Sequence, residues 1–337
     1  MSEHPTKPPE PPFPERLQSA TLGADDRADL VAGCRDIIDR CPTLDVIDNH
    51  VVAATVAGSR YLPADLVTSL ARFRWESTDH GALLIRGVPL DDELPPTPSH
   101  RTSLPLRDLP ISTLAQLVVL AQLGDLIAYA GEKDGALVQD IVALRGLETR
   151  QENVGSALLE LHTENGFHPT KPDVVTLLCL RPDQDGNSQT VVAGVGDALP
   201  LLGPDVLRCL REPVFRIAYS TSFVGTDRIM YSPLMAAITE HAGNVTVLAD
   251  LHAMEATTDD GKSALSRLFE ALRQVAVGVR LTPGDLLVID NRTAVHGRTP
   301  FVPRFDGRDR WLRRAFAIAD LRRCEAGHPP FSRVVRP

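Results

Sequence analysis

In the segment LLELHTENGFHP an imidazole and a carboxylate, His162 and Glu164, stand two residues apart. Along an extended strand, residues i and i+2 face the same way, so this pair can reach one metal ion. Far downstream, GDLLVIDNRTAVHGRTP supplies His296 just after an apolar run. Two histidines and one carboxylate on one face of an iron ion leave its remaining positions open for a cosubstrate and oxygen. A His-x-Glu pair by itself also describes a solvated histidine beside an acid, and short motifs of this kind recur by chance. His168 competes for a ligand role; it precedes Pro169 in a turn-like segment and reads as an outer or surface histidine. His241 and His252 lie in polar surroundings and read as solvent-facing.

Beyond His296 runs RTPFVPRFDGRDRWLRRAF. An iron site that takes a keto acid needs a cation about one cosubstrate length from the metal. The far carboxylate requires a partner, and the planar guanidinium fork suits it. Arg310, at the start of an apolar strand, stands in the right place. Strand alternation sends Arg310, Leu312 and Arg314 to one face and Trp311 and Arg313 to the other. For Arg304, Arg308 and their neighbours a solvated basic loop is the plain alternative.

Together HTENGFHP, GDLLVIDNRTAVHGRTPF and FDGRDRWLRR resemble the clavaminate synthase-like oxygenases of the taurine dioxygenase superfamily. That group includes bacterial arginine and asparagine β-hydroxylases. The likeness covers roughly Leu137 to Ala319. It implies an α+β fold, a distorted double-stranded β-helix (jelly roll) with flanking helices, and use of Fe(II), 2-oxoglutarate and O2. By motif, it implies His162, Glu164 and His296 as iron ligands, Arg310 as the grip on the oxoglutarate tail, and Thr190 as a hydroxyl on the same carboxylate.

The resemblance also speaks to substrate. In the amino-acid hydroxylases the counterpart of Arg314 binds the substrate carboxylate, and this chain keeps it. The two acids that hold a guanidinium in arginine hydroxylases fall on Leu248 and Asp250, and one of them is leucine here. A buried guanidinium would lose half its pairing, so a neutral or more apolar side chain is favoured. Gln139, Asp140 and Ser156, upstream of the iron motif, could offer hydrogen bonds to a substrate amide or amine. AYSTSFVGTDRIMYSP (218–233) is a candidate lid, with Phe223 and Tyr231 as walls.

The expected reaction is hydroxylation of an unactivated C–H bond of an amino acid, or of a derivative such as a cyclic dipeptide, in secondary metabolism. Succinate and CO2 would be released. A desaturase or cyclase of the same group would share every metal ligand. A jelly-roll binding protein would have no need of the metal site, and a zinc hydrolase would need a general base and no keto-acid arginine.

The elements that must position these residues are readable too. Helical spacing covers Asp25–Cys41, Pro63–Phe73, Ser112–Leu123 and 261–278. GALLIRGVPL (81–90) reads as a buried strand, and short β-like runs recur from about residue 137, in the pattern of a jelly roll. The division expected is a flexible proline-rich arm over 1–20 and one oxygenase domain over 21–337, with its jelly-roll core at about 137–320.

Bulk properties narrow the class. The 337 residues carry a net charge of −9, which argues against nucleic acid or an anionic membrane as partner and leaves a small molecule. No apolar run is long enough to span a bilayer, and the N-terminus has no signal-peptide core. Five scattered cysteines without a C-x-x-C pair suggest neither a disulfide framework nor a zinc site. A cytoplasmic enzyme is the reading; oligomeric state is not legible.

Overall fold

Several strands of this chain are apolar at successive rather than alternate positions, which is what burial on both faces requires. The computed structural model, which describes residues 12–41, 44, 48–225, 229–241, 243–324 and 332–336, shows the two covers. The larger sheet runs β1 (Gln18–Thr21), β2 (Ala82–Arg86), β13 (Leu286–Asp290), β6 (Val174–Arg181), β15 (Trp311–Ile318), β3 (Asp125–Tyr129) and β16 (Val334–Val335). β4 (Val138–Val142) pairs with the first half of β15. The smaller sheet runs β12 (Val277–Val279), β7 (Thr190–Gly194), β14 (Ala294–Arg298) and β5 (Leu159–His162). Two short antiparallel pairs complete the strands: β8 (Phe215–Ile217) with β11 (Met254–Ala256), and β9 (Ile238–His241) with β10 (Asn244–Val247).

Alternation divides each strand between two cores. On β13, Leu286 and Val288 join an outer cluster while Leu287 and Ile289 point into the space between the sheets. β7 does the same from the other side, with Val192 inward and Val191 and Ala193 outward. The outer face of the larger sheet is covered by α1 (Ala24–Arg40), α2 (Asn49–Ala57), α3 (Ala64–Glu76) and α4 (Pro110–Leu120). The smaller sheet is backed by α5 (Val195–Ala198), α6 (Pro204–Leu210) and the strongly amphipathic α8 (Asp259–Val275). A short α7 (Thr221–Val224) lies in the candidate lid segment.

Two departures from expectation have clear causes. Residues 13–20 are not a free arm: β1 pairs in parallel with β2, Phe13 exchanges two hydrogen bonds with the Gln189 side chain, and Pro14 accepts from Gly278. The prolines lack donors, yet their carbonyls and flanking residues still satisfy a sheet edge. Residues 1–11 lie outside the described residues. α4 begins at Pro110, where the Asp91 carboxylate accepts from the Ile111 and Ser112 amides at 2.9 and 3.0 Å, a cap supplied from outside the helix.

Asp140 is also not a substrate ligand. Cross-strand register sets it opposite Arg313, on the outer face of the larger sheet. Its carboxylate accepts from Arg313 Nε (3.0 Å) and Trp311 Nε1 (2.8 Å), both buried, and from the half-buried Leu104 amide (2.6 Å). Breaking a buried pair leaves a charge uncompensated, so Asp140→Ala should lower unfolding stability by about 3–5 kcal/mol. Urea denaturation measures this; a loss below about 1 kcal/mol would contradict the role.

Candidate metal and cosubstrate site

The two histidines meet because of strand register. β5 and β14 are antiparallel with His162 directly opposite His296, and the ring centroids are 4.6 Å apart. Leu161 and Val295, their chain neighbours, turn outward to the α8 cluster, so both imidazoles face between the sheets. Glu164 follows β5 and is held through its backbone. The buried Asn291 side chain accepts from the Glu164 amide at 2.8 Å and donates to the Glu164 and Pro172 carbonyls at 3.1 and 2.8 Å. One ligand atom from each of His162, Glu164 and His296 falls within 4.8 Å of the others.

Protonation suits a divalent cation. The Glu160 carbonyl, which can only accept, lies 2.9 Å from His162 Nδ1, so Nδ1 donates to it and Nε2 is the nitrogen left for a metal. Burial pushes His296 down, against the pull of Glu164, which favours neutral imidazole. Burial pushes the Glu164 carboxyl up, but Arg314 and the two histidines outweigh it and hold it well below the usual carboxylate range. The result is two imidazoles and one ionised carboxylate on one side of a cavity. That donor set fits ferrous iron.

The cavity measures about 680 Å³ and is bounded on its other side by β15. Arg310, Leu312 and Arg314 line it, while Trp311 and Arg313 point away with Asp140. Arg314 donates Nη1 to Glu164 Oε1 (2.9 Å) and Nε to Gln139 Oε1 (3.1 Å), the latter a cross-strand pair, and its Nη2 to Glu132. Arg310 Nη2 lies 3.4 Å from Thr190 Oγ1, and among the described residues it has no acidic partner within ion-pair distance. A buried, unpaired guanidinium at one end and a three-ligand cluster at the other make a site for a chelating acid with a distal carboxylate.

A family model described as taurine catabolism dioxygenase TauD, TfdA family matches residues 100–316. This chain belongs to that family. L-asparagine oxygenase of Streptomyces coelicolor is 42% identical over 269 residues, covering 79% of this chain and 80% of the relative. L-lysine 3-hydroxylase of Catenulispora acidiphila is 34% identical over 282 residues, 81% and 77% of the two chains. A crystal structure of asparagine oxygenase with Fe(II), 2S,3S-3-hydroxyasparagine and succinate superposes with a TM-score of 0.89 at 36% identity, covering 95% of this chain and 99% of that one. The chain is accordingly a 2-oxoglutarate-dependent non-haem iron dioxygenase, with Fe(II), 2-oxoglutarate and O2 as cofactor and cosubstrates.

The remaining candidate residues of the dioxygenase divide. Asp250 lines the cavity, bridged by backbone to His162. Leu248 does not: it joins the apolar cluster behind the cavity and packs with Ile217 against Gly166, where a leucine is best removed from water. Ser156 is buried outside the cavity wall; its amide donates to Glu148 and its carbonyl accepts from Phe301. Gln139 is fully buried behind Arg314 and not on the wall itself. His168 is neither a ligand nor a surface residue; it is buried against Tyr129, with Nδ1 accepting from the Thr170 amide at 3.0 Å. In the lid segment Tyr219 to Ser222 line the cavity, whereas Phe223 packs on Phe167 and Tyr129, and Tyr231 stacks on Arg216. Residues 226–228 lie outside the described residues. No described helix is long and apolar enough to cross a membrane.

Sequence reading missed Glu132 and Lys133, both on the wall. They sit in the turn GEKDG, with Lys133 and Asp134 at φ 49° and 56°, where no periodicity marks a site. The Lys133 ammonium is buried with no partner among the described residues, and burial, with Arg314 nearby, pulls it from 10.5 down to about 8. The charged form is the disfavoured one, so its cost is full below about pH 8 and disappears as pH approaches 10.5. Lys133→Met should therefore stabilise the ligand-free protein by about 1–3 kcal/mol at pH 7, and by progressively less toward pH 10. Thermal melts at several pH values check this; a variant less stable at pH 7 would contradict it.

Proposed function

We propose that this dioxygenase hydroxylates a free, zwitterionic α-amino acid, with L-asparagine the first candidate substrate. The observation that carries the reading is the Arg314–Glu132 ion pair beside Glu164 on the cavity wall. A zwitterion exchanges that pair in kind, its carboxylate taking Arg314 and its ammonium taking Glu132. A neutral cyclic dipeptide offers neither exchange and would leave both charges desolvated. Asp250 Oδ1 accepts from the His252 and Ala253 amides at 2.9 and 2.7 Å, and Oδ2 is left to accept from a side-chain amide. Leu248 carries no weight against arginine once it is off the wall; the preference for a neutral side chain rests on the asparagine oxygenase relative and on Asp250 Oδ2 as an acceptor for an amide. The identity and substrate of the asparagine oxygenase relative support the choice.

On this reading the two facing sheets are a distorted double-stranded β-helix, open at the end where the ligands stand. Bound iron with O2 and the keto acid supplies the oxidising power for C–H hydroxylation, with succinate and CO2 as co-products. His162, Glu164 and His296 hold the metal on one face. Arg310 and Thr190 orient the keto acid by its far carboxylate. Arg314, fixed by Gln139 across the strands, orients the amino acid by its carboxylate, which places the side chain toward the metal and Asp250. Tyr219 and Phe167, 4.6 Å apart by ring centroid, exclude water from the side facing the lid segment.

The test is a panel of asparagine, glutamine, lysine, ornithine, arginine and a cyclic dipeptide, each with Fe(II) and 2-oxoglutarate, followed by mass spectrometry. Asparagine should gain one oxygen atom fastest. Turnover of the cyclic dipeptide with all free amino acids inert would overturn the proposal, and loss of two hydrogens without oxygen gain would favour the desaturase reading.

A further inference from the structure

Arg310 is not the only unpaired guanidinium in the keto-acid end of the cavity. Arg298 stands two residues beyond His296 on β14 and so shares its face. Strand register sets Arg298 directly opposite Thr190, the residue that Arg310 approaches from the larger sheet. Both guanidiniums lie over one ring, 5.0 and 5.7 Å from the Phe301 centroid, and both arginines line the cavity. Arg298 is 4% exposed and Arg310 7%. Among the described residues neither has an acid within ion-pair distance. Arg298 donates Nη2 to the Ala157 carbonyl at 2.8 Å, and among the described residues its buried Nε has no partner.

We propose that Arg298 is a second cation of the keto-acid pocket, contacting the same distal carboxylate as Arg310. The inference rests on the dioxygenase reading of the site and extends it. A side chain kept only to pin the Ala157 carbonyl would be served by a neutral donor; a buried cation with an orphan Nε needs an anion. A carboxylate offers two oxygens with about four lone-pair sites, enough for two guanidiniums and the Thr190 hydroxyl. Two cations converging on one position also explain a preference: a keto acid with a distal carboxylate should bind, and its methyl-ended analogue should leave both charges bare.

The experiment is anaerobic calorimetric titration of the Fe(II)-loaded protein with 2-oxoglutarate and with 2-oxopentanoate, which chelates alike but lacks the distal carboxylate. Arg298→Met should raise the 2-oxoglutarate Kd about tenfold or more and change the 2-oxopentanoate Kd by less than about threefold. Equal weakening of both acids, which a merely structural arginine would produce, overturns the proposal, as does no change for either. Should Arg298→Met fail to fold, Arg298→Lys keeps the charge and loses the Nε donor. It should weaken 2-oxoglutarate selectively by a smaller factor, and the same two results would overturn it. If the wild type binds the two acids equally, or Arg310→Met is also without effect, the keto-acid reading itself fails and takes the proposal with it.

Discussion

Glu164→Ala should abolish turnover and weaken ferrous ion binding by at least about two orders of magnitude. Glu164 supplies the one anion among the three ligands, so its loss leaves two neutral imidazoles facing a dication. It also frees Arg314 Nη1, which donates to Glu164 at 2.9 Å, and so sets an uncompensated positive charge beside the metal position. The fold should survive, because the backbone at Glu164 is held by Asn291 and not by its own side chain. Iron content after anaerobic loading and circular dichroism measure the two halves of this expectation. A variant that still binds iron stoichiometrically would remove Glu164 from the ligand set. His168→Ala should leave iron binding in place.

Arg310→Met should raise the apparent KM for 2-oxoglutarate by at least about tenfold, since truncating one partner of a desolvated charge pair costs about 2–5 kcal/mol. Thr190→Val should act in the same direction with about 1 kcal/mol, the value of one hydrogen bond. The ranking follows from geometry: among the described residues Arg310 has no acid within ion-pair distance to fall back on, whereas Thr190 meets Arg310 only at 3.4 Å. Steady-state kinetics at saturating amino acid measures both. An unchanged KM in Arg310→Met would move the carboxylate anchor to Arg298 or Arg314.

What could be read without coordinates was whatever strand alternation and local spacing dictate. Arg310, just before β15, and Leu312 and Arg314 on it share a face by period two; Glu164 does not owe its place to alternation, because β5 ends at His162 and Asn291 holds Glu164 in the turn that follows. Helical spacing over 25–41, 63–73 and 261–278 falls on α1, α3 and α8. Register was not visible. The pairing of His162 with His296, of Gln139 with Arg314 and of Asp140 with Arg313 is set by strands distant in sequence, so Asp140 looked like a substrate contact and is a buried structural hub. Leu248 came from the resemblance, which sets it where arginine hydroxylases carry an acid; the chain instead folds it into the apolar cluster behind Gly166. Asn291 was findable, as a lone amide in the turn between two buried strands, where a polar side chain must hold backbone. Glu132 opens a charged run, EKD, set between the apolar stretches LIAYAG and GALV, which reads as an ordinary turn and carries no sign of a site.

One cavity that binds iron, a keto acid and an amino acid together should couple the oxidation of both acids. The most direct test is simultaneous measurement of oxygen uptake, succinate formation and hydroxylated product with Fe(II), 2-oxoglutarate and L-asparagine. Equal molar amounts of all three are expected, with succinate formation falling at least about tenfold when the amino acid is left out. Succinate released at the same rate with or without any amino acid, or product formed with no oxygen consumed, would contradict it.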